Sequence, residues 1–117
     1  VPTAPACADI DKNIADARQH FDPNWFYDQV RNHGPWDYKQ QGSQYQDFGN
    51  FNYGATGSAF GFLDQILLRM AGYAQQQAGT SLPGWNGPLG GPPYGDDPAD
   101  QVLIQQGIQY FKCRCFK

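Results

Sequence analysis

Apolar residues recur at helical spacing over much of the chain and lose that spacing in its middle. Ile10, Ile14, Ala17 and Phe21 fall on one stripe, which predicts a first helix over residues 8–20. Asp22-Pro23 reads as an N-cap with proline in the first turn. It opens a second helix over 23–32 that buries Trp25 or Phe26 with Val30. Gly34-Pro35 ends it, because proline cannot continue a helix and glycine accepts the conformation just past one. The widest apolar face carries Phe62, Leu63, Ile66, Leu67, Met70, Tyr73 and Ala74, with Gly79 as the stop. This third helix is the expected centre of the core, with Arg69 solvated or paired. Asp97, Pro98 and Asp100 stand at N-cap, N1 and N3 of a last helix. Its expected buried side is Val102, Leu103, Ile108, Tyr110 and Phe111.

Residues 34–61 show no such period. Trp36, Tyr38, Tyr45, Phe48, Phe51, Tyr53 and Phe60 are scattered among Gly, Gln, Asn and Asp, and Gly54, Gly57 and Gly61 break any long strand. The stretch reads as a long polar-aromatic loop, of the kind that carries function or plugs a small core. Residues 80–95 form a Pro/Gly loop with Trp85 and Tyr94 as anchors. The expected fold is mainly α: a small single domain of about four helices around a long loop region. Residues 1–6 read as a linker or processed start and 7–117 as the domain.

Composition narrows the classes. The 117 residues suffice for one domain, and 40% hydrophobic with 15% aromatic residues supports a packed core. No window approaches the roughly 18 apolar residues of a membrane span, so no membrane insertion is expected. The net charge of −3 weakens a nucleic-acid reading. All eleven acids are Asp, so any carboxylate chemistry falls to aspartates. Cys7 near one end faces Cys113 and Cys115 at the other, with no CxxC spacing for zinc. A Cys7–Cys113 or Cys7–Cys115 bridge would join the ends in an oxidising compartment; three free thiols in a cytosolic domain is the alternative.

The chain lacks the phosphate-loop, dinucleotide, zinc-protease and nucleophile-elbow motifs. Three constellations remain. In His33-Gly34-Pro35-Trp36-Asp37-Tyr38-Lys39, His33 can act as general base, Asp37 as its orienter or an acid, and Lys39 as an anion clamp. Equally, His33 can close the second helix while Asp37 and Lys39 face solvent. Residues 45–57 interleave rings with carboxamides and a carboxylate. That mixture suits a sugar: Trp36, Tyr38 and Tyr53 stack on its apolar face, Asn50 and Asn52 bond its hydroxyls, and Asp47 is a catalytic candidate. Asx-turns and a helix cap would explain the same residues. Asp96, Asp97 and Asp100 offer hard oxygens for a cation, but helix capping accounts for Asp97 and Asp100. No metal or cofactor is expected, and Asp96 is left to reach a pocket.

The strings VRNHGPWDYKQ (30–40), YQDFGNFNYGATGSAFGF (45–62), LLRMAGYAQQQAGTS (67–81) and PPYGDDPADQVLIQQGIQYF (92–111) resemble the bacterial toxin 44 family, also called the polymorphic toxin type 44 domain. The resemblance runs from about Phe26 to Phe111. It implies an antibacterial effector carried by a secreted toxin and neutralised by a cognate immunity protein. In that family an acidic residue commonly precedes the aspartate of the YxDFGN stretch; this chain has Gln46 there, which the resemblance makes a catalytic position.

Three functions fit. The first is a hydrolase of the peptidoglycan glycan strand in the target periplasm, drawing its two carboxyl groups from Asp37, Asp47 and Asp96. The second is a ribonuclease in the target cytosol, with His33 as base and Lys39 or Arg69 stabilising phosphate charge. The third is a non-enzymatic glycan-binding or adaptor domain.

Overall fold

Asp9 starts the first helix. Its carboxylate accepts hydrogen bonds from the backbone N–H groups of Asp11 and Lys12 at 3.0 and 3.2 Å, and α1 spans Ile10–Ala17. Ile10, Ile14 and Ala17 are buried as the stripe requires, but α1 ends before Phe21, which is 89% exposed. Asp22 caps α2 (Pro23–Val30) through the N–H of Asn24 at 2.9 Å. Phe26 points inward and Trp25 lies half-buried. The computed structural model describes residues 1–113.

The middle of the chain departs most from expectation. Two short 3-10 turns, Tyr38–Gln41 and Ser43–Tyr45, lead into α3, a 15-residue helix over Gln46–Phe60. Besides Gly54 and Gly57, its buried positions Phe48, Phe51, Asn52, Ala55 and Thr56 follow helical spacing. Two of the five are polar, which hid the stripe in the sequence. Asn52 is satisfied in part by Asn13 Nδ2, 2.9 Å from its Oδ1. The Thr56 hydroxyl donates to the Asn52 carbonyl at 2.6 Å.

The expected central helix is peripheral. α4 (Asp64–Gln77) buries only Leu67, Leu68 and Gly72, while Leu63, Ile66, Met70 and Tyr73 are exposed. Helix α5 (Pro98–Cys113) packs along α3 instead. A Cβ at Gly54 would run into the Ile104 carbonyl, and one at Gly107 into the Phe51 carbonyl. The two backbones therefore touch, and only glycine permits it. Ile104, absent from the expected buried side, is wholly buried; Val102, expected inside, is 50% exposed. Among the described residues there are five α-helices and no strand, a mainly α fold.

Rings join the helices. Phe26 meets Trp36 and Phe62 edge-on at 6.4 and 5.3 Å and Phe60 at a tilt at 5.6 Å. Tyr38 meets Phe48 edge-on at 4.9 Å. The loop before α5 is fixed by Arg69, which donates to the carbonyls of Pro88 and Gly90 at 2.8 and 3.0 Å and lies over the Tyr94 ring. The Tyr110 hydroxyl donates to Asp11 at 2.8 Å, bringing the end of α5 against α1. Cys7 and Cys113 are both exposed thiols, and the Cys113 thiol donates to Gln109 Oε1 at 3.3 Å. Cys115 lies outside the described residues.

Candidate functional site

Packing α5 on α3 in this register sets the first turns of both helices side by side. Gln46 and Asp47 open α3; Asp97 and Asp100 flank the start of α5, with Asp96 just before. The Gln46 Nε2 donates to Asp100 Oδ1 across the gap at 3.3 Å. Two stretches 54 residues apart in sequence thus share one acidic cluster.

The carboxyls in it are not equivalent. Asp97 is the helix cap: its Oδ1 accepts from the Ala99 N–H at 2.9 Å. Asp96 is only 3% exposed. Its Oδ2 accepts from Gln101 Nε2 at 2.8 Å, and that amide also donates to the Leu68 carbonyl at 3.2 Å. Burial pushes the Asp96 carboxyl up, against the opposing hydrogen bonds of Gln101 and the Asp97 backbone. Asp100 is half-buried, and its pKa is pushed up to about 6. Burial is the main cause; the charges of Asp96 and Asp97 add to it, the Gln46 hydrogen bond opposes it, and Asp47 adds a further upward push. Asp47 itself is exposed. A carboxyl pushed up to about 6 beside an exposed one is a pairing that acid–base catalysis can use.

Helix capping was the sequence explanation for both Asp97 and Asp100. It holds for Asp97 alone. Asp100 at N3 turns toward Gln46, and only the tertiary contact reveals it. Asn50 and Tyr53 follow Gln46 on the same face of α3. Asn50 Nδ2 reaches back to the Gln46 carbonyl at 3.4 Å. The Tyr53 hydroxyl donates to the Leu67 carbonyl at 2.7 Å, and burial, with the charge of Asp96, holds its pKa up. It is a brace between α3 and α4 rather than a free sugar contact.

Other expected site residues belong to the interior. Trp36 and Tyr38 are buried. The Tyr38 hydroxyl accepts from Asn13 Nδ2 at 2.8 Å, and burial raises its pKa despite that bond. Asn52 is 0% exposed. All three are packed into the core and turned away from solvent. Asp37 shapes the loop after α2: its Oδ2 accepts from the His33 backbone N–H at 2.8 Å, which holds His33 at φ 65°. Its other oxygen lies 3.9 Å from Lys39 Nζ. The His33-Asp37-Lys39 group does converge, but through the His33 backbone rather than its imidazole. Arg69 Nη1 serves the loop carbonyls of Pro88 and Gly90. Among the described residues, no three His, Cys or Asp side chains converge as a metal site.

No curated protein and no solved structure matches the chain. The sequence model of bacterial toxin 44 matches residues 38–113, which contain α3, α4, α5 and the whole acidic cluster. α1 and α2 precede the matched segment and pack against the same core. The match covers well over half of the chain, which therefore belongs to the bacterial toxin 44 family.

Proposed function

We propose that this toxin domain is an antibacterial effector that hydrolyses the glycan strand of peptidoglycan in the periplasm of the target cell. The reading rests on Asp100, a carboxyl that keeps its proton to about pH 6 beside the exposed Asp47. In this reaction Asp100 gives its proton to the departing glycosidic oxygen. Asp47 supplies the second carboxyl: it takes a proton from the water that attacks the anomeric carbon, or attacks that carbon itself and is released by water afterwards. Asp96 stands behind Asp100 and raises its proton affinity. Gln46 orients Asp100 by its hydrogen bond.

The same acidic cluster repels a polyanion, which weighs against RNA as substrate. His33 and Lys39 offer the alternative ribonuclease little, since Lys39 is held by Asp37 and Asn32. A secreted effector of this kind carries a cognate immunity protein as its partner. Among the described residues no helix is long and apolar enough to cross a membrane, in keeping with action on the wall.

Expression with and without an export signal tests the location. Lysis on export alone is the expected result; growth arrest from the cytosolic form without lysis would transfer the assignment to RNA cleavage. Gln46→Glu places a carboxyl against Asp100, so that the pair shares a proton. It also restores the acid expected from the family resemblance. Faster lysis is the expected effect.

A further inference from the structure

Leu67 and Leu68 of α4 pack with Ile104 and Ile108 of α5, Gln101 donates to the Leu68 carbonyl, and Lys112 pairs with Asp64. Beside that contact, two adjoining cavities of about 330 and 300 Å³ share Gln65, Leu68 and Gln105. They form one groove along α5. Its walls carry the carboxamides of Gln65, Gln101, Gln105 and Gln109. Tyr94 donates its hydroxyl to Gln65 Oε1 at 3.2 Å, which fixes that amide in the lining. The charged lining residue, Asp64, is neutralised by Lys112 Nζ at 2.9 and 3.0 Å. At one end the groove reaches Pro98 and Gln101 in the first turn of α5. Gln101 is common to both places: it lines the groove and holds Asp96 in the acidic cluster.

We propose that this groove binds a neutral chain of N-acetylated hexosamines, the extension of a glycan whose scissile bond lies at the acidic cluster. The proposal rests on the hydrolase reading above for the second part of that statement. The chemistry selects the ligand class. A carboxamide donates and accepts at once, and so does an acetamido group, so the two pair reciprocally. Pro98 and Val102, exposed on the groove's lining, suit the hydrophobic face of a sugar ring. A phosphate or carboxylate ligand would find no unpaired cation on these walls.

Calorimetric titration of the full chain with tetra-N-acetylchitotetraose tests this, using Asp100→Asn to prevent turnover. Gln105 is exposed, so Gln105→Ala and the groove-filling Gln105→Trp leave the fold alone. Binding should weaken at least fivefold in the first and vanish in the second. In the otherwise unchanged protein, Gln105→Ala should raise KM on purified sacculi with kcat nearly constant. Undiminished binding in both Gln105 variants, or no binding by any form, would overturn the groove proposal. Cleavage of sacculi alongside that result would leave the hydrolase reading standing. Groove binding without any cleavage of sacculi would do the reverse.

Discussion

Asp100 is a carboxyl whose ionisation the fold opposes. Its pKa in the folded chain, about 6, stands above the ordinary 3.8. The folded state therefore holds a proton that the unfolded state releases between those values. The stabilisation this gives is complete below about pH 3.8 and is lost as pH rises through about 6. Asp96 and Asp97 face Asp100 from its own end of α5, and Gln46 and Asp47 from α3. Asp100→Asn removes the charge at every pH. It should raise the melting temperature at pH 7 and change it little at pH 4; equal shifts at both values would show that Asp100 titrates normally. The same substitution abolishes the proposed proton donation, so stability and activity should move in opposite directions.

Glycine has opposite meanings at different points of α3. Gly54 lies against the Ile104 carbonyl, and Gly107 of α5 against the Phe51 carbonyl. Gly54→Ala or Gly107→Ala should destabilise the fold by about 1–3 kcal/mol through overpacking. At Gly49 a Cβ would meet nothing nearer than Tyr38 at 3.9 Å. Gly49→Ala should therefore stabilise by about 0.5–1 kcal/mol, the usual helix preference. Denaturant titration of the three variants checks both signs. These glycines also explain what the sequence concealed. α1 announces itself through the stripe of Ile10, Ile14 and Ala17, and α2 and α5 through Asp22-Pro23 and Asp97-Pro98, whose caps are local chemistry. α3 reads as a loop because glycines and a buried Asn52 and Thr56 replace its apolar stripe, and only α5 makes them sensible. Asp47 is a candidate from its place among rings and amides and Gln46 from the family resemblance, whereas Asp100 is hidden behind a capping pattern that only Asp97 fulfils. The exposed side of α4 misled in the other direction: Ile66, Met70 and Tyr73 look like a core and lie at the surface.

Across the whole molecule, contacts between distant parts of the chain bring the site together. Asn13 of α1 holds Tyr38 and Asn52, Arg69 anchors the loop that leads into α5, and Tyr110 returns to Asp11. The last contact brings Asp11 and Tyr110 together, and a bridge from Cys7 to Cys113 or Cys115 in an oxidising compartment would lock the ends. Thiol titration of oxidised, unfolded protein should then find one thiol per chain, while three would refute the bridge. The central claim concerns the cluster where α3 and α5 begin. Its most direct test is release of reducing sugar ends from purified peptidoglycan sacculi by the unaltered chain, Asp100→Asn and Asp47→Asn, each shown to be folded by circular dichroism. The unaltered chain should release them, and each variant should be slower by at least about 100-fold, within the range for loss of an acid–base group. Undiminished release by both variants, or no release by the unaltered chain, would contradict the account.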